Sequence, residues 1–159
     1  MKNTLVTTVS IAIFGFAMTA APLSAADHDH DHGGHSHKEA HADHMLEGYV
    51  AVANALYKDD LASAKKIAGG IVKHDKKSTL AAPATEISKA KTIEAARKSF
   101  NALSAAAIEI SKKEKGYKVA HCPMANGNKG GDWLQKTSDA KVNNPYFGAK
   151  MPHCGSFKK

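Results

Sequence analysis

From Ile93 to Ile110 the apolar side chains return every three or four residues: Ile93, Ala96, Phe100, Leu103, Ala107, Ile110. That spacing paints one stripe along an α-helix of about five turns, which must find a partner surface. Gly116 follows and predicts the end of the helix. Three weaker patterns precede it. Leu46, Tyr49, Val50, Ala53, Leu56 and Tyr57 form one stripe, with Asp43 as its expected N-cap. Leu61, Ala64, Ile67, Ala68, Ile71 and Val72 form another behind Asp60, and Gly69-Gly70 either weakens its middle or admits a neighbouring helix. Pro83 suits the first turn of a short third helix through Ile87 and Ala90. These stripes read as core, with His74 at a helix end and Arg97 at the surface or in an ion pair. The fold class expected is all-α: a small bundle of three to four helices over residues 45–115, followed by a loop-rich segment.

The N-terminus sets the compartment. Lys2 precedes an apolar run from Leu5 to Ala21, and Ser24 and Ala26 supply the small residues that a signal peptidase reads. The run is about 17 residues long, at the lower limit for spanning a bilayer. Residues 1–26 are therefore expected to be a cleaved signal peptide, leaving a periplasmic chain with no membrane segment. The formal net charge is +7, but the lysines scatter along helix faces. This reads as solvation, and an exported chain rarely meets nucleic acid.

Residues 27–44 read DHDHDHGGHSHKEAHADH and hold seven of the ten histidines: His28, His30, His32, His35, His37, His41 and His44. Almost nothing there is apolar, so the segment is expected to be a disordered arm. Imidazoles on a flexible chain wrap Cu(II), Zn(II) or Ni(II) with low selectivity.

After Gly116 the composition changes. Gly, Pro and Asn become frequent, yet the only Trp (Trp133) and both cysteines lie here. Two clusters nearly mirror each other: His121-Cys122-Pro123-Met124 and Met151-Pro152-His153-Cys154. Thiolate and thioether ligands select Cu(I) and, by the same softness, Ag(I). Cys122, Met124, Met151 and Cys154 are thus candidate ligands in residues 116–159, with His121 and His153 as additional or alternative ones. Three rivals stand beside this reading. A Cys122–Cys154 disulfide would close a loop of about 33 residues and stabilise by about 3–4 kcal/mol, and exported cysteine pairs usually join. The protein would then be an interaction module whose only metal sits on the arm. A zinc site from His121, Cys122, His153 and Cys154 lacks the usual spacing and leaves both methionines idle. An electron-transfer copper centre needs two His, a Cys and a Met, ordinarily on a β-sandwich rather than on helices. No C-x-x-C and no nucleophile–base set is readable, so the chain is not expected to be an enzyme.

The elements Cys122-Pro123-Met124-Ala125, Gly130 or Gly131 with Trp133-Leu134, Asn144-Pro145-Tyr146-Phe147-Gly148, and Met151 with Cys154-Gly155 follow a helical region with an Arg97-x-x-Phe100 step. The chain resembles in these an uncharacterised domain family of bacterial exported proteins. That domain is also appended to periplasmic adaptor subunits of copper/silver efflux pumps. The resemblance covers roughly residues 45–157 and implies metal handling; an efflux or copper-delivery protein is the expected partner. His121 and His153 depart from the family pattern, and both add ligands. The adaptor's barrel and hairpin domains are absent from this sequence.

Overall fold

The computed structural model describes residues 36–159, with side chains from Ala40 onward. The expected signal peptide and His28, His30, His32 and His35 of the arm lie outside the described residues, as does the side chain of His37. Four helices come first: α1 (Ser36–Tyr57), α2 (Leu61–His74), α3 (Ala81–Lys89) and α4 (Ile93–Ser111).

The caps show why they begin where they do. Asp60 Oδ1 accepts from Ser63 N at 2.9 Å and starts α2. Pro83 lies in the first turn of α3, where its missing N–H costs nothing. Thr92 Oγ1 accepts from Ala95 N at 3.2 Å and starts α4. The first helix departs from expectation. It begins at Ser36, so residues 36–44 of the expected disordered arm are helical and Asp43 is interior rather than a cap. Lys38, Glu39, Ala40 and Ala42 are strong helix formers. Asp43 instead accepts from the Tyr117 hydroxyl at 2.8 Å.

The stripes meet in one core containing Leu46, Leu56, Ala68, Ile71, Leu80, Ile87, Phe100 and Leu103. Tyr49 stacks on Phe100 with ring centroids 5.5 Å apart. Its hydroxyl shares a hydrogen bond of 2.7 Å with Ser104 Oγ and accepts from Leu134 N at 3.1 Å. The close approach of α1 and α2 falls at Gly48, where a Cβ would stand 3.1 Å from Ile71 Cγ1. Gly69 has only Ser88 of α3 near it, at 3.9 Å, and Gly70 has nothing within 4 Å.

The all-α expectation is overturned by a three-stranded antiparallel sheet in the segment read as loop. Its strands are β1 (Tyr117–Cys122), β2 (Gly131–Lys136) and β3 (Ser156–Phe157), in the order β2-β1-β3. The fold is a mixture of helices and sheet. A short turn, Ala125–Asn128, with Asn126, Gly127 and Asn128 at positive φ, joins β1 to β2. The helix–sheet contact runs through α4 and α1 onto β2.

Candidate metal centre

Cys122 is the last residue of β1. Side chains alternate across a strand, so Ala120 and Cys122 share a face, and both are fully buried. Across the ladder Ala120 stands opposite Trp133 and Cys122 opposite Gly131. A Cβ on Gly131 would sit 2.8 Å from the Tyr146 ring and 2.9 Å from Ala125 Cβ. The missing side chain thus leaves room for Tyr146 against the strand beside Cys122. Burial pushes the Tyr146 phenol up to about 12. It stays neutral and donates to Asp132 O at 2.9 Å.

Cys154 arrives from the other direction, on a loop folded around Asn144. That side chain is fully buried. Its Nδ2 donates to Cys154 O at 2.7 Å, and its Oδ1 accepts from Tyr146 N at 2.8 Å. Its backbone N–H donates to Pro152 O at 2.8 Å. Gly155 then adopts φ +123°, and a Cβ there would press on the His121 carbonyl and stand 3.2 Å from Trp133 Cη2. Glycine therefore lets the chain close onto β1 before β3 pairs with it through Ala120↔Phe157 and His121↔Ser156. The outcome is a Cys122 Sγ to Cys154 Sγ separation of 2.9 Å. Cys122 is buried and Cys154 half-buried, so solvent reaches the pair from the Cys154 side. The Cys154 thiol is held above its ordinary range, first by its hydrogen bond with Cys122 and then by burial.

The sulfurs stand closer than the roughly 3.5–4.0 Å of ordinary nonbonded contact and farther apart than the roughly 2.05 Å of a disulfide. Two thiolates sharing one ion at metal–sulfur distances of about 2.3 Å stand about 3.8 Å apart in a tetrahedral site and about 4.6 Å apart in a linear one.

The other expected ligands are not all gathered here. His121 lies on the opposite face of β1 from Cys122, because neighbours in a strand point apart. Its Nδ1 pairs with Asp132 Oδ1 at 2.7 Å, and the Lys158 ammonium holds Asp132 Oδ2 at 2.5 Å. Burial works to raise the Asp132 carboxyl, but these two partners outweigh it and keep it below the usual carboxylate range. His121 borders a shallow groove with Ala105, Ile108 and Glu109 of α4. Met124 is 47% exposed and lines a separate groove with Arg97, Lys98, Phe147 and Lys150. Met151 is half-buried and His153 exposed, both in the turn leading to Cys154. His153 Nδ1 lies 2.7 Å from Val142 O and must carry the proton, which leaves Nε2 with a lone pair in the neutral ring. Among the described residues, no group of three or more His, Cys, Asp or Glu side chains is arranged, as it stands, to hold an ion.

Two residues matter more than their sequence context suggests. Asn144 organises the Cys154 loop; the signal was an Asn immediately before Pro, an arrangement that favours side-chain-to-backbone turns. Arg97 is buried rather than at the surface. Its Nε donates to Pro145 O at 2.9 Å, its Nη2 to Leu56 O at 2.8 Å, and it pairs with Asp59. Asp59 Oδ2 in turn accepts from Ala149 N at 3.0 Å. That hydrogen bond first, and Arg97 second, hold the Asp59 carboxyl below its ordinary range. Gly148, at φ +55°, passes over the ion pair where any side chain would strike both partners. Arg97 thus fastens the end of α1 and the loop that delivers Cys154 onto α4. No family model, curated protein or solved structure matches the chain.

Proposed function

We propose that this protein binds a soft monovalent ion, Cu(I) or Ag(I), in an exported compartment, and serves in sequestration or in delivery to an efflux or copper-assembly partner. One observation carries the reading: two thiols meet at a half-open position, between a strand end and a built loop. Soft sulfur ligands select such ions. Met151 in the turn before Cys154 and Met124 after Cys122 are the thioethers within reach in sequence, and the neutral His153 ring would present Nε2. His121 is set aside from this ligand set, because the strand turns it to the other face. The histidines ahead of the fold would collect Cu(II) or Zn(II) less selectively. The resemblance noted in the sequence points the same way.

The test is an anaerobic titration of the reduced mature chain with Cu(I) against a competing chelator. One tightly held equivalent is expected, and a Cys122→Ser/Met151→Leu double variant is expected to lose it. Uptake unchanged in that variant would sink the reading.

The same sulfur spacing favours a second reading, a permanent Cys122–Cys154 disulfide in an interaction module. Intact mass before and after thiol alkylation separates the two. Protein isolated from its own compartment that gains two alkyl groups without reduction is expected for the metal site. A chain that gains none even after mild reduction belongs to the second reading.

A further inference from the structure

A second cluster of metal-ligating side chains lies at the other end of the helical layer, away from both cysteines. His41 and His44 stand on α1, and His74 is the last residue of α2. The helices cross closely at Gly48 and Ile71. His44 lies one turn before Gly48 and His74 one turn after Ile71, so the crossing brings their rings together. The centroids of His44 and His74 are 4.4 Å apart, and those of His41 and His74 are 5.3 Å apart. Asp75 adds a carboxylate. Its Oδ1 accepts from Lys77 N and Ser78 N, while its Oδ2 lies 3.3 Å from His41 Nε2.

We infer that His41, His44 and His74, with Asp75, form a folded site for a divalent borderline cation, Zn(II) or Cu(II). An imidazole bound at about 2.0–2.1 Å puts its centroid about 3.2 Å from the ion, so two rings on one ion stand about 4.5–5.2 Å apart for angles of 90–109°. The two observed separations, 4.4 and 5.3 Å, lie just outside the two ends of that range. The nitrogens do not yet converge, but all three rings are exposed and free to turn about their χ angles. Three imidazoles and one carboxylate are a donor set for Zn(II) and Cu(II), not for Cu(I). The carbonyl end of α2 favours a cation beside His74. Lys73, Lys76 and Lys77 oppose it, and Glu47 beside His44 is already paired with Lys136. Two of the histidines that read as arm thus join a site on the fold, completed by one from a different helix.

A folded site differs from a flexible arm in one measurable way. Binding to the arm leaves the folding equilibrium alone, whereas an ion that bridges α1 and α2 binds the native state only and raises the melting temperature. The test is thermal unfolding of the full mature chain with and without Zn(II) in modest excess. The midpoint is expected to rise by about 4 °C or more in the wild type, and in Cys154→Ser, which leaves this cluster intact. The rise is expected to vanish in His74→Ala, whose exposed position spares the fold. A competitive Zn(II) titration is expected to show the tightest equivalent weakened at least tenfold in His74→Ala. An unchanged midpoint shift in His74→Ala, or Zn(II) bound with no shift in the wild type, would overturn the inference. Loss of the shift in Cys154→Ser alone would move the ion to the cysteine pair and overturn it equally.

Discussion

Between Ser36 and Ser111 the backbone satisfies itself within helices, and the buried side chains are almost all apolar; Ser104, bonded to Tyr49, and Arg97 are the exceptions. Between Tyr117 and Phe157 regular structure is short, and the backbone leans on buried polar side chains. Asn144 holds the turn before Cys154, Gln135 accepts from Asn143 N and donates to Lys141 O, and Arg97 reaches across to Pro145 O. The two regions therefore fail differently. A lost methyl group in the first leaves a cavity. A lost hydrogen-bonding group in the second leaves buried carbonyls unpaired and frees a segment. Both thiols lie in the second region, so their spacing is set by polar fastenings rather than by helix packing.

The sharpest contrast comes from Arg97, which serves both regions. Arg97→Ala should destabilise by about 3–5 kcal/mol, because it strands the Pro145 and Leu56 carbonyls; Asp59, 40% exposed, adds little. Denaturant melts check this, and a loss under about 1 kcal/mol would mean that the loop does not depend on the ion pair. Leu103→Ala, in the helical core, should cost about 3 kcal/mol through its cavity. Unlike Arg97→Ala, it should leave the alkylation rate of Cys154 unchanged under native conditions. Asn144→Ala should cost less, about 2 kcal/mol, yet raise that rate at least several-fold. If Leu103→Ala exposes the thiol and Asn144→Ala does not, the comparison is wrong.

The smallest effect is in pH dependence. The Cys154 thiol is raised in the fold, so its contribution to stability is fully present below the unfolded thiol's pKa and is lost as pH rises through the folded one. Reduced protein should therefore lose stability on entering the alkaline thiol range, and oxidised protein should lack that component. At the acid end Asp59 behaves oppositely. Its lowered carboxyl contributes above the unfolded carboxylate range and is lost as pH falls through the folded value. Asp59→Asn should flatten the acid limb of a melting-temperature profile.

The helices were legible because their stripes and caps, Asp60 above all, carry the signal locally. The start of α1 was hidden by histidines, whose polarity suggests an arm even where Lys38 to Ala42 favours helix. The sheet was hidden for three reasons. The inward residues Ala120 and Cys122 are small, so β1 shows little hydrophobic alternation. In β2 Trp133, Leu134 and Gln135 are buried in succession, which erases the period of two. β3 is two residues long, and the connection through Asn126 and Gly127 at positive φ is no simple two-residue hairpin turn. The cysteine and methionine clusters stood out as residue types, but only the strand shows that His121 and Cys122 face apart. The meeting of His74 with His41 and His44 depends on a helix crossing at Gly48 that no local pattern announces.

X-ray absorption at the copper edge of the Cu(I)-loaded, reduced protein tests the central claim most directly. A first shell dominated by sulfur is expected, with two short thiolate distances, one of which is lost in Cys154→Ser. A first shell of nitrogen alone, unchanged by that substitution, would place the ion on the histidines and contradict it.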